Sequence, residues 1–149
     1  MANLFSHVEL STDDAGAAKA FYKKLFPSWK LADMPSEHGP YTMIDAGARG
    51  AAKASAAGGG IQKKPMPEIP TGWTPYILVD DVEKMYAKAQ QLGARSGLPP
   101  TDIGMGVIAV VMDPTGAPCG LWKPAAARRR KATPRKKVAR KSKARRKTR

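Results

Sequence analysis

Between residues 4 and 11, Phe5, Val8 and Leu10 are interleaved with polar positions, the pattern of a half-buried strand. Side chains alternate across a strand, so His7, Glu9 and Ser11 share one of its faces. Thr12 or Asp13 can cap the helix that follows. In that helix Ala17, Ala18, Phe21, Tyr22 and Leu25 recur at helical spacing as one packing stripe, and Pro27 ends it. Residues 29–34 and 41–46 read as strands on either side of the turn-rich Pro-Ser-Glu-His-Gly-Pro at 35–40. Residues 47–60 are rich in Ala and Gly and read as an extended loop, with 60–63 as a fourth strand. Pro65, Pro67 and Pro70 make 64–71 a linker.

The same order then returns. A strand over 74–79 leads to a capping Asp80 or Asp81, and a helix places Val82, Met85, Tyr86, Ala89 and Leu92 on one side before Gly93 closes it. A short strand over 94–98 is expected, then a polar turn from Pro99-Pro100 to Gly106. Residues 107–112 form a β-branched buried strand, 113–116 a β-turn, and 118–123 the last strand. Met105 and Met112 read as packing.

Aligning the acidic pairs Asp13-Asp14 and Asp80-Asp81 sets His7 against Thr74, Glu9 against Tyr76 and Leu10 against Ile77. Two copies are too few for a solenoid, so the pattern predicts two related halves closed around a shared concave surface. The fold class is α+β: two βαβββ modules, about 3–64 and 72–124, forming a partly open curved sheet around a cavity within a domain spanning 1–124.

Charge divides the chain differently. Residues 1–127 balance at 12 Lys/Arg against 12 Asp/Glu, whereas 128–149 hold 14 Lys/Arg and no acid, which equals the whole formal net charge of +14. No stretch approaches the roughly 20 apolar residues of a membrane span, and no secretory signal is visible at the start, so the expectation is a cytoplasmic protein. The single Cys119 cannot form an intrachain disulfide and reads as a small packed residue of the last strand.

The element order resembles the vicinal oxygen chelate superfamily, the group of glyoxalase I, bleomycin-resistance proteins and extradiol dioxygenases. Three motifs carry the likeness: His-Val-Glu-Leu-Ser-Thr-Asp-Asp at 7–14, Tyr-Ile-Leu-Val-Asp-Asp at 76–81 and Asp-Pro-Thr-Gly-Ala-Pro-Cys-Gly-Leu-Trp at 113–122. In metal-dependent members, four cavity-facing positions supply the ligands, and the resemblance places them here at His7, Thr74, Gly60 and Gly120. Of these only His7 is a usual ligand, so the expectation is no metal and no other cofactor. Glu9, on the same face, and His38, from a loop, could be recruited. A divalent-metal enzyme of the glyoxalase I (lactoylglutathione lyase) or dioxygenase type is the alternative.

If the positions Gly60, Thr74 and Gly120 that the resemblance assigns face inward, strand parity adds Gln62, Tyr76 and Trp122, and without a metal the implied lining is His7, Glu9, Gln62, Thr74, Tyr76 and Trp122, with the two glycines leaving room. An aromatic wall with a few polar groups suits a small amphipathic or aromatic molecule, and sequestration of an antibiotic or toxin is the matching activity. Glu9 could also accept a proton in a metal-free isomerase or lyase. The fold commonly pairs as a homodimer.

Residues 125–149 combine Ala, Lys, Arg, Ser, Thr and Pro without aromatic residues, and such a segment cannot bury enough surface to fold alone. Its charges are Arg128, Arg129, Arg130, Lys131, Arg135, Lys136, Lys137, Arg140, Lys141, Lys143, Arg145, Arg146, Lys147 and Arg149. The composition resembles linker-histone tails, which implies non-specific, salt-sensitive nucleic-acid binding and a nucleoid association. A purely solubilising tail, contact with an anionic membrane surface, and an architectural nucleic-acid binder whose core is only a carrier are the competing readings.

Overall fold

The computed structural model describes residues 2–36, 39–47, 58–67 and 69–125. His38, most of the Ala/Gly loop and all the charged positions after 127 lie outside the described residues.

Strand β1 (Phe5–Thr12) leads into helix α1 (Ala15–Leu25). Asp14 caps that helix by accepting the Ala17 amide at 2.8 Å, and Lys23 and Lys24 in the last turn complement the carbonyl end of its dipole. Strands β2 (Lys30–Met34), β3 (Tyr41–Asp45) and β4 (Gly58–Lys63) complete the first half. The second half repeats the order with β5 (Gly72–Leu78), α2 (Val82–Gln91), β6 (Arg95–Asp102), β7 (Gly106–Met112) and β8 (Pro118–Pro124). Asp81 caps α2 through the Lys84 amide at 2.8 Å. At the other end Gly93, with φ +95°, lets its own amide reach the Gln90 carbonyl and the Ala94 amide reach that of Ala89, a Schellman closure that requires the left-handed backbone glycine allows.

All eight strands form one sheet in the order β2-β3-β4-β1-β5-β8-β7-β6, which stays open because its end strands do not pair. The seam between the halves is antiparallel, with His7 opposite Tyr76, Val8 opposite Pro75 and Glu9 opposite Thr74. The alignment of the acidic pairs makes Val8 the counterpart of Pro75, so the residues that face each other are also those the repeat relates. A local two-fold axis therefore passes through that pair. The same operation exchanges β4, which lies parallel to β1 with Gly60 beside Glu9, and β8, which lies parallel to β5 with Gly120 beside Tyr76.

One proline breaks the symmetry. The Val79 amide donates to the Trp122 carbonyl, so by the two-residue period an amide at position 75 would also face β8. Pro75 has none, and β5 pairs with β8 only from Tyr76 to Leu78, whereas β1 pairs with β4 from His7 to Thr12.

Both helices cover the same sheet face. Under α1 lie Leu10, Ile44 and Ile61, packed against Ala15, Ala18, Tyr22, Trp29 and Trp73. Under α2 lie Val79, Ala109 and Leu121, with Val82, Met85 and Tyr86 from the helix. Ile61 and Val82 are fully buried, and each such side chain contributes roughly 1.5–3 kcal/mol.

Several expectations need correction. The apolar stripe of α1 is only partly used: Tyr22 and Ala18 pack, while Phe21 and Leu25 are exposed. Met105 is exposed as well. Strand β6 does not stop at Leu98 but continues through Pro99 and Pro100 to Asp102. It borders only β7, so a missing amide can face outward, and its register shifts between Ser96 and Leu98 and between Leu98 and Thr101. Strand β4 begins two residues early, at Gly58, where the glycines pair with His7 and Val8.

Candidate functional site

The helix-free face of the sheet carries a polar cluster drawn from four strands. Strand β1 supplies His7 and Glu9, β3 supplies Tyr41, β4 supplies Gln62 and β5 supplies Tyr76. Their common face follows from register, since His7 is opposite Tyr76 on one side and Ser11 beside Gln62 on the other. On β3, Met43 is opposite Gly60, so Tyr41, two residues away, faces the same way.

Glu9 is the hub. Its Oε1 accepts the Gln62 amide at 2.6 Å and the Tyr76 hydroxyl at 3.2 Å. The Tyr41 oxygen lies 2.7 Å from His7 Nε2. His7 is stacked at 24° to Tyr41 and meets Tyr76 edge-on, with ring centroids 6.4 and 6.1 Å away. The amide of Gln62 is also 3.5 Å from Ser11 Oγ.

Burial sets the electrostatics. It pushes the Glu9 carboxyl above its usual range, with the two tyrosine hydroxyls pulling back. It holds the His7 imidazole below 6.5 and so favours the neutral ring. Both tyrosines are driven far up, by burial first and by the Glu9 charge second, so they remain hydroxyl donors.

Of the lining residues expected from parity, His7, Glu9, Gln62 and Tyr76 come together. Thr74 is opposite Glu9 in the β1–β5 register. Trp122 is on the same face beside Leu78 and Ile108, and makes no ring contact with the cluster's aromatic residues. Tyr41 was not anticipated. The strand that carries it was expected, but nothing local fixes how β3 pairs with β4 across the Ala/Gly loop. Cys119 is half-buried with its thiol pushed up by burial, in keeping with packing.

The two glycines do not leave room. A Cβ on Gly60 would run into the Tyr41 hydroxyl and ring, and one on Gly120 into the Tyr76 ring. Each tyrosine thus fills the space above a glycine at equivalent positions of the two halves.

Residues 4–119 match the model of the Glyoxalase/Bleomycin resistance protein/Dioxygenase superfamily, and the chain belongs to that family. The proteins named "Putative glyoxylase CFP32" from Mycobacterium tuberculosis and Mycobacterium bovis are each 39% identical over 121 residues, covering 77% of this chain and 43% of theirs. The chain therefore spans less than half the length of these relatives. Among solved structures, Streptomyces coelicolor methylmalonyl-CoA epimerase in complex with 2-nitronate-propionyl-CoA superposes with a TM-score of 0.61 at 15% identity, over 85% of this chain and 100% of that one. The epimerase of Mycobacterium tuberculosis gives 0.56 at 16%, over 82% and 88%. At these identities the likeness is one of fold.

Members of this family often hold a divalent metal. The donor set here does not fit one: His7 is the one imidazole among the described residues, its Nε2 is engaged by Tyr41, Thr74 is a weak ligand, and the glycine positions are closed by phenol rings. Among the described residues no three of His, Cys, Asp and Glu converge.

Proposed function

We propose that this chain binds a small amphipathic or aromatic molecule on the helix-free face of its sheet, without a resident metal. The observation that carries the reading is the pair of tyrosines over Gly60 and Gly120, which replace ligand side chains with aromatic area and hydroxyl donors. His7, Glu9 and Gln62 supply the polar groups that orient a guest, and Thr74 and Trp122 extend the surface on either side. Native mass spectrometry of the full chain, purified without chelators, tests this. A retained organic adduct lost in His7→Gln agrees with the reading, and a stoichiometric divalent ion refutes it.

A second reading is a metal-free isomerase or lyase with Glu9 as proton acceptor. It is favoured by the raised affinity of Glu9 for a proton and by the Gln62 and Tyr76 hydrogen bonds that hold its carboxyl in place. Proton exchange with solvent at an acidic C–H of a bound carbonyl compound, abolished in Glu9→Gln, distinguishes catalysis from sequestration.

The cationic segment 125–149 is proposed to hold nucleic acid through phosphate neutralisation, independent of sequence. A homodimer of the chain is part of the same proposal, checked by light scattering. No helix among the described residues is long and apolar enough to cross a membrane.

A further inference from the structure

We infer that the outer face of helix α1 is a self-association surface, on which a second copy of the chain packs its own α1 antiparallel about a two-fold axis, seating Phe21 of each copy on Ala17 of the other. The inference rests on the homodimer reading above and adds to it the face that is used.

The internal repeat supplies the comparison. Asp14 and Asp81 cap the two helices in the same way, each accepting the amide of the residue three further on, so α1 and α2 align residue for residue from their caps. At the positions that meet the sheet the two agree: Ala15 and Ala18 pack in the first half, Val82 and Met85 in the second. On the outward side they differ. Ala17 and Phe21 of α1 stand where α2 has Lys84 and Lys88, the residues expected of a helix face in water, and all four are exposed. Phe21 is 57% exposed, and its ring is held edge-on to Tyr22 with centroids 5.1 Å apart. A single exposed apolar residue is ordinary. Here a fixed ring stands beside the small Ala17 and Ala20, on positions that the sister helix keeps charged.

Spacing decides what fits that face. Asp14, Ala17, Phe21 and Lys24 follow one another at intervals of three, four and three residues, which lines them along one side of the helix. Lys24 lies as far beyond Phe21 as Asp14 lies before Ala17. The two-fold that seats each Phe21 on the other copy's Ala17 therefore brings each Lys24 to the other copy's Asp14. Such a seam is complementary to itself, with a large side chain on a small one at its centre and a cation on a carboxylate at its ends, while the helix dipoles run antiparallel. Lys24 is exposed and makes no ion pair among the described residues. A helix of 11 residues offers less than the roughly 800 Å² per partner of a standard interface, so the pair should be weak, with a Kd of about 10–100 µM.

Sedimentation velocity of the full chain from about 1 µM to about 500 µM, spanning that Kd, is the test, and a reversible monomer–dimer equilibrium is the expected result. Phe21→Lys gives α1 the residue type that α2 carries there. It should raise Kd at least about tenfold and leave the circular dichroism unchanged, because Phe21 is outside the core. Ala17→Phe separates a fitted seam from a merely sticky surface: it adds apolar area, yet should weaken the pair because two rings then meet where one fits. Joined to Phe21→Ala, it exchanges ring and gap and should bring Kd back to within about threefold of the natural chain. Leu92→Lys, at a residue 70% exposed beside α2, should change nothing. A monomer at every concentration overturns this inference and the homodimer reading together. A dimer that Phe21→Lys leaves intact, or that Ala17→Phe tightens, overturns the inference alone.

Discussion

Tyr41 on β3 reaches across β4 to place its hydroxyl 2.7 Å from His7 Nε2 on β1, above a glycine that has no side chain to stop it. That relationship ties together strands that are not neighbours. It also makes Gly60 and Tyr41 a matched pair.

Removing the hydroxyl tests its structural value. Tyr41→Phe keeps the ring but leaves His7 Nε2 without its partner, and should cost about 1–3 kcal/mol in urea denaturation. An unchanged midpoint would mean that water replaces the hydroxyl at no cost.

The pairing of glycine with tyrosine predicts a rescue. Gly60→Ala alone should destabilise by about 1–3 kcal/mol, because the new methyl group overlaps the Tyr41 ring. Combined with Tyr41→Ala, the same substitution should cost much less, giving a coupling energy of about 1 kcal/mol or more in a double-mutant cycle.

Acid should weaken the fold through His7. Its pKa is lowered on folding, so below 6.5 the unfolded chain binds a proton that the folded ring resists, and stability falls as pH drops from 6.5 toward the folded value. Glu9 acts in the opposite sense. Its pKa is raised from 4.5, so the folded state takes up a proton first as pH falls, and this offsets part of the loss. Urea midpoints compared between about pH 7.5 and about pH 5.5 should therefore fall more in the natural chain than in His7→Gln.

The basic segment yields a salt prediction. The full chain should bind duplex DNA of any sequence with log K falling steeply against log salt, and a chain ending at Pro124 should lose that affinity in a gel-shift titration. Equal affinity of the two forms at low salt would contradict a role for residues 125–149.

Much of the architecture was legible because the two acidic pairs mark where each helix starts, and hence which residues of β1 and β5 correspond, although the cap of α1 is Asp14 and not Thr12 or Asp13. That His7 and Glu9 share a face followed from the two-residue period, whereas Gln62 and Tyr76 also needed the positions Gly60 and Thr74 that the family resemblance assigned. Tyr41 followed from neither, because an Ala/Gly stretch has no side-chain pattern to set the register of β3 on β4. Pro99 and Pro100 read as a turn because local sequence does not reveal that β6 is an edge strand. Phe21 and Leu25 belong to the apolar stripe of α1, but which part of that stripe meets the sheet depends on how the helix lies across it. The glycines at 60 and 120 were read as empty space, since what fills a gap is decided by side chains distant in sequence.

The most direct test of the account is the metal content of the full chain after exposure to manganese, nickel and zinc ions and removal of the excess, compared with His7→Gln. The tyrosine-closed positions predict no metal that depends on His7. One equivalent per chain that disappears with His7→Gln would show that the tyrosines swing aside to make a metal site, and would contradict the account.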